Sequence, residues 1–345
     1  MLAIVRNKRD LSLARPLASI AIELTTHCNL SCKMCSVWKR RDKDFPHDKV
    51  LALLEEARAL GAQRFNPCGT ELFTRQDMPE ILAHADKIGF REIFVVSNGV
   101  LLNCQDLLNK LANIKSLAIV VSIDGTKDVH DELRGNGVFD QAVSALRELG
   151  HRGIKRSIAT IIMRPTLDCL PEMIDLAAEL RIPVISMQPY NRDVAGPDCD
   201  HEKFEFKQNE KKMVANKLKD LLKYAKRKKV TIYTENMLKY VAHYLTERSN
   251  PFPPKGCHVP LKTIVVDIEG NSHPCFVINK NMGNVNEMAL SSICQSDIRR
   301  KLIISALNSK CRGCLAACSD VEGYNRGLKQ IFHYMANRYL KRLVS

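Results

Sequence analysis

Over the first half of the chain, short apolar runs alternate with amphipathic stretches. The runs at 19–24, 64–67, 93–97, 117–123, 156–163 and 183–188 have the length and β-branched content of strands. Between them, 48–60, 78–88, 105–112, 139–149 and 170–180 repeat apolar residues at helical spacing. Strands separated by helices of this length predict repeated βαβ units on a parallel sheet. Six such units with short connections predict a partial barrel, open on one side. In sheets of this kind ligands sit at the carboxyl ends of the strands. The residues expected there are a cysteine-bearing loop after strand one, Cys68-Gly69-Thr70-Glu71 after strand two and Ser97-Asn98-Gly99 after strand three. Strand four carries Ser122 and ends at Asp124-Gly125, and strand six ends at Gln188-Pro189. Each pair of Asn-Gly or Asp-Gly type is ordinary turn chemistry taken singly. Their recurrence at the same end of successive strands marks that end as the site.

Beyond Tyr190 the pattern changes. Residues 193–201 read as a loop, 205–229 as a lysine-rich helix with Met213, Leu218, Leu221 and Leu222 inward, and 236–248 as another helix. The stretch 249–256 breaks regular structure, and 263–268 with 273–278 predict a hairpin around Glu269-Gly270-Asn271. The basic 328–344 reads as an amphipathic helix, docked on its own domain or touching a membrane surface.

The chain has 345 residues, 45% of them hydrophobic, enough for one large domain with an extension. No apolar run approaches the ~20 residues that span a bilayer. The N-terminus is basic but too broken in its apolar stretches for a secretory signal. Thirteen cysteines without such a signal indicate metal or redox chemistry in a reducing, cytoplasmic setting rather than a disulfide framework. Lys and Arg exceed Asp and Glu by 52 − 38 = 14. The basic residues concentrate in 207–229 and 299–345, as expected of solvated helix faces.

Cys28, Cys32 and Cys35 carry the most specific chemistry, in the run HCNLSCKMC. Three thiolates so close can hold three irons of a cubane and leave the fourth without a protein ligand. Zinc, or simple packing of three buried thiols, are the rival readings. Asn29 and Ser31 favour a loop there over a helix. A second set comprises Cys257 and Cys275, which bracket the predicted hairpin, with Cys311, Cys314 and Cys318. Four of these thiolates suffice for a closed zinc or iron–sulfur site.

Together these motifs resemble the radical S-adenosylmethionine (radical SAM) superfamily, specifically its branch with a SPASM or twitch extension. The resemblance rests on Cys28, Cys32 and Cys35, on Gly69-Thr70-Glu71 with Arg75 and Asp77, and on Ser97-Asn98-Gly99. It also rests on Ser122-Ile123-Asp124-Gly125, His130-Asp131, Arg134-Gly135 and the C-terminal cysteines. It implies a partial (βα)6 TIM-like barrel over 18–200, preceded by an extension at 1–17. A helical linker at 201–250, an auxiliary-cluster domain at 251–322 and a basic helix at 323–345 would follow.

It further implies a [4Fe–4S] cluster on Cys28, Cys32 and Cys35 that binds S-adenosylmethionine, and one auxiliary [4Fe–4S] cluster on Cys257, Cys275 and two of Cys311, Cys314 and Cys318. Gly69, Thr70 and Glu71 would meet the methionyl ammonium. Ser97, Asn98, Ser122, Arg134 and Gln188 would contact ribose or carboxylate, and Met34 would lie against adenine. Met34 stands where the family usually has an aromatic residue, Thr70 replaces a glycine and Leu72 a proline.

The implied activity is of oxidoreductase type: hydrogen-atom abstraction from a substrate carbon, with an electron passed to or from the auxiliary cluster, for a net oxidation, a peptide cross-link or an epimerisation. The electron donor would be a flavodoxin or ferredoxin. Only about 18 residues precede the first strand, which favours a small polar or anionic metabolite, or a peptide delivered by another protein. An epimerase would need a thiol hydrogen donor, for which Cys68, Cys104, Cys169 and Cys199 are available. A zinc-stabilised nucleic-acid-binding protein is the alternative from another class. With 6% aromatic residues and none interleaved with the basic segments, no nucleic-acid partner is expected.

Overall fold

The computed structural model describes residues 17–233, 235–247, 257, 259–308 and 315, apart from the side chains of 236 and 237. The predicted helix at 328–344 and Cys311, Cys314 and Cys318 lie outside the described residues. The first half runs β1 (Ser19–Thr25), α1 (His47–Ala59), β2 (Arg64–Gly69), α2 (Met78–Lys87), β3 (Glu92–Ser97), α3 (Gln105–Ala112) and β4 (Leu117–Ser122). It continues with α4 (Lys127–Arg134), α5 (Val138–His151), β5 (Lys155–Ile162), α6 (Leu170–Glu179) and β6 (Val184–Pro189). After these come α7 (Arg192–Ala195), α8 (Lys211–Arg227), β7 (Thr231–Ile232) and α9 (Glu235–Glu247). The last described part holds α10 (Val259–Lys262), β8 (Thr263–Val266), β9 (Ser272–His273), α11 (Leu290–Gln295) and α12 (Asp297–Leu307).

Among the described residues the strands form one sheet in the order β7-β6-β5-β4-β3-β2-β1-β8-β9, parallel except for β9. β1 pairs with β8 and β6 with β7, so the two ends of the six-strand set do not meet and the sheet stays open. Ile20, Ile22 and Leu24 of β1, Ile93 and Val95 of β3, and Ile119 and Val121 of β4 are fully buried. They pack beneath helices whose inner faces are equally apolar, such as Val50, Leu53, Leu54 and Ala57 of α1. Each such side chain contributes about 1.5–3 kcal/mol on burial.

Several elements differ from their sequence pattern. α4 was not anticipated, because only His130 and Leu133 of its eight residues are buried and its apolar periodicity is thin. α8 starts at Lys211 rather than near 205, after a 3-10 turn at Gln208–Glu210. The expected loop at 193–201 contains α7. The hairpin forms around 267–271, with Asp267 accepting the backbone N–H of Glu269 and Asn271 at 3.0 and 2.8 Å. Its second strand is only Ser272–His273, and its first strand also extends the barrel sheet beside β1. The C-terminal segment is thus joined to the barrel edge by backbone pairing.

Candidate functional site

At the carboxyl ends of β1 to β6 lies a cavity of about 390 Å³. Cys28, Cys32, Cys35, Met34, Gly69, Thr70, Glu71, Ser97, Asn98, Ser122, Arg134 and Gln188 all line it. Every residue proposed from sequence for the first cluster and its ligand is therefore in one place. Glu71 and Arg134 are the only charged residues of the lining among the described residues.

The cysteine loop follows β1 and is irregular, as Asn29 and Ser31 suggested. It is clamped from several sides. Thr70 donates its backbone N–H to Thr25 at 3.2 Å and its hydroxyl to the His27 carbonyl, which also accepts the Glu71 N–H at 3.2 Å. The Lys33 N–H donates to Leu133 of α4 at 2.8 Å, and the Ser36 N–H to Ala195 of α7 at 2.7 Å. Beneath the loop, buried Arg75 donates to the carbonyls of Leu24 and Phe45, both at 2.8 Å, and pairs with Asp77 at 2.6 Å. Gly69 is required at the crossing of β2 over the end of β1. Its φ is +139°, and a Cβ there would lie 2.2 Å from the Thr25 carbonyl oxygen.

None of the three cysteines is in a disulfide. Burial raises the Cys28 thiol and pushes Cys32 up to about 11, with the nearby Arg134 charge pulling both down. A bound metal would displace these protons. Thiolates of a cubane bind separate irons, so the trio need not converge on one point. Among the described residues no group of three or more His, Cys, Asp or Glu converges as the ligands of a single ion would.

Glu71 is 1% exposed. It accepts the Asn98 N–H at 2.7 Å, the Ser97 hydroxyl at 2.9 Å and the Phe73 N–H at 3.4 Å. Burial holds its carboxyl above the usual range, against the pull of these donors and of Arg134. Ser97 also accepts the Gly99 N–H at 3.0 Å, and the Asn98 amide donates to Asn29 of the cysteine loop at 2.8 Å. Both side chains are thus engaged in building the site.

Arg134, the last residue of α4, packs on Asp124, which sequence reasoning placed at a strand end without a partner. The Arg134 Nε donates to Asp124 Oδ2 at 2.8 Å, and its Nη2 lies 2.6 Å from the same oxygen. Asp124 Oδ1 accepts the Ile161 N–H at 2.7 Å. His130 accepts the Asp124 N–H at 3.0 Å, and burial lowers its imidazole to about 4, so it stays neutral. The signal available in sequence was an acidic residue, Asp124, directly after the apolar run of β4.

Other candidates fall elsewhere. Cys68, Cys104, Cys169 and Cys199 are not among the described residues that line the cavity. Cys257 and Cys275 flank the β8–β9 hairpin as expected. The Cys257 N–H donates to Ala306 of α12 at 3.0 Å, and Cys275 Sγ accepts the Ile278 N–H at 3.2 Å. Cys294, left unassigned by sequence, is buried in α11. Trp38, Tyr190, Val194 and Tyr244 complete the apolar side of the cavity and were not anticipated.

The three thiols, the acid and the base fit a cluster with an amino-acid ligand. A family model described as the radical SAM superfamily matches residues 22–177. A second, SPASM, described as an iron-sulfur cluster-binding domain, matches residues 257–315. Fe-coproporphyrin III synthase of Methanosarcina barkeri is 29% identical over 167 residues, 47% of this chain and 41% of that protein. The mycofactocin maturase MftC of Mycolicibacterium smegmatis is 32% identical over 162 residues, 45% of this chain and 40% of that protein. The chain thus matches about two fifths of the length of these relatives.

Streptococcus suis SuiB bound to S-adenosylmethionine superposes with a TM-score of 0.66 at 18% identity, over 87% of this chain and 70% of that one. The fold is therefore the TIM-like one of radical SAM enzymes with a C-terminal SPASM region. S-adenosylmethionine and [4Fe–4S] clusters, an auxiliary one included, are the cofactors of such domains. The first match covers the cysteine loop and most of the cavity lining, the second begins at Cys257, and the chain carries a radical SAM domain followed by a SPASM domain.

Proposed function

We propose that the chain is a peptide-modifying radical SAM enzyme. The observation that carries the reading is the cavity in which three thiols face one buried carboxylate and one guanidinium. When bound, the cluster and S-adenosylmethionine supply a 5′-deoxyadenosyl radical after one-electron reduction. Cys28, Cys32 and Cys35 hold that cluster, on a loop fixed by Thr70, Ser36 and Arg75. Glu71 receives the methionyl ammonium, since among the described residues its three donors are neutral and no cation is bonded to it. Arg134 receives the carboxylate. Met34, buried beside the thiols, packs against the adenine, and Ser122 and Gln188 meet the ribose. Cys257 and Cys275, with two of Cys311, Cys314 and Cys318, hold the auxiliary cluster in a C-terminal unit of 251–322. When bound there, that cluster would supply a one-electron acceptor or donor for the substrate, and a flavodoxin or ferredoxin would be the electron source for the first cluster.

A peptide is favoured over an anionic metabolite because, among the described residues, Arg134 is the sole cation of the lining. The remaining described wall is uncharged and carries several apolar side chains, Val96 and Val194 among them being exposed. A metabolite with several carboxylates would meet too little positive charge. The relatives include MftC, called a maturase, and SuiB bound to the precursor peptide SuiA, whose names point the same way.

Anaerobic reconstitution followed by iron and sulfide counting tests the proposal. About eight irons per chain support two cubanes. 5′-Deoxyadenosine should form under strong reductant and disappear in the Cys28→Ala variant. Zinc alone at the trio, or no cleavage of S-adenosylmethionine, refutes it.

A further inference from the structure

We propose that Asp124 is a positioning residue that aims Arg134 at an anionic group in the cavity. The inference rests on the reading above, in which that group is the carboxylate of S-adenosylmethionine. Asp124 has no exposed surface and does not line the cavity, so it cannot touch a bound molecule. Both of its oxygens are committed. Oδ1 accepts the Ile161 N–H of β5, and Oδ2 takes Nε and Nη2 of Arg134 at 2.8 and 2.6 Å.

This grip orients the guanidinium. Nη1 is left without an acceptor among the described residues, on a side chain that lines the cavity and is 11% exposed. A guanidinium held by one edge presents its other N–H groups in a fixed fork, which suits a carboxylate. The backbone is fixed as well, because His130 accepts the Asp124 N–H and the Leu133 carbonyl accepts the Lys33 N–H. The competing role is service to the thiolates, since Cys32 and Cys35 also lie within the field of Arg134.

Two ligands separate these roles in the reconstituted holoprotein: S-adenosylmethionine and its decarboxylated analogue. Dissociation constants are measured by equilibrium dialysis, alongside iron content and thermal midpoint. The wild type should prefer the carboxylated ligand. Asp124→Asn should reduce that preference by about tenfold or more, with affinity for the analogue within about twofold of wild type. A purely structural role would weaken both ligands together and leave the ratio alone.

An unchanged ratio in Asp124→Asn overturns the inference, as does loss of iron with the ratio retained. Should that variant fail to fold, the double variant Asp124→Asn, Arg134→Gln removes both buried charges and must bind the two ligands alike. Retained preference in the double variant overturns the inference too. A wild type that binds neither ligand overturns the proposed function and this inference with it, which distinguishes the two failures.

Discussion

Glu71 and Asp124 are both buried carboxylates just beyond strand ends of one sheet, yet their surroundings give them different work. Asp124 is bonded to a cation of its own chain and a backbone N–H. Among the described residues Glu71 has three donors from neutral groups and no bonded cation. The first charge is spent inside the protein, while the second remains available to a cation from outside. A buried acid near a ligand cavity is therefore not informative by itself. What it is already bonded to decides whether it supports the fold or binds the ligand.

The largest effect should come from breaking the internal pair. Asp124→Ala leaves Arg134 without its counter-charge and should cost about 3–5 kcal/mol of stability, read by chemical denaturation. Glu71→Gln should cost less, about 1–3 kcal/mol, since the amide keeps the shape and sheds a buried charge but its NH2 cannot accept one of the donors that the carboxylate takes. Equal destabilisation by the two substitutions would erase the distinction.

Next in size, Glu71→Gln should weaken S-adenosylmethionine binding by about 1.5–3 kcal/mol, the range for hydrogen bonds to charged groups. Dialysis of the reconstituted protein measures this, and an unaltered dissociation constant would show that Glu71 is structural after all. Gly69→Ala comes third. Its Cβ would meet the Thr25 carbonyl at 2.2 Å from a φ of +139°, so more than about 1 kcal/mol should be lost. Iron incorporation should fall with it, because Thr25 leads into the cysteine loop.

How far these features were legible in sequence follows from their range. The six barrel strands emerged from local apolar runs, and the thiol trio from a spacing of a few residues. The pairing of Asp124 with Arg134 was hidden because α4 exposes most of its face, so periodicity did not reveal the helix that carries Arg134. The addition of β8 to β1 joins positions 244 residues apart, and the link is visible in the Ser19–Thr263 hydroxyl contact at 2.8 Å. No local pattern encodes such a pairing. The predicted hairpin was right in place and long in its second strand, because Cys275 and the residues after it leave the ladder.

The smallest expected effects concern pH, and the contrast there is one of sign. The raised carboxyl of Glu71 favours the folded state when protonated. Its contribution is present below about pH 4.3, the unperturbed value, and is lost as pH rises through the higher folded value. Glu210, held to about 2 by Arg164, behaves oppositely. Its contribution is present above its unperturbed value and is lost as pH falls toward about 2. The pair is partly exposed, so Glu210→Gln should flatten the acid limb by less than about 1 kcal/mol. Glu71→Gln should instead steepen the loss of stability on acidification.

The central claim is that the trio of thiols and the two charged side chains form one site for a cluster and its ligand. Electron paramagnetic resonance of the anaerobically reconstituted, reduced protein, with and without S-adenosylmethionine, addresses it directly. The account predicts a reduced [4Fe–4S] signal that changes on adding S-adenosylmethionine and is missing from the Cys28→Ala, Cys32→Ala, Cys35→Ala triple variant. A signal from an auxiliary cluster should persist in that variant; the absence of any signal that responds to S-adenosylmethionine, or a responsive signal that survives in the triple variant, would contradict the account.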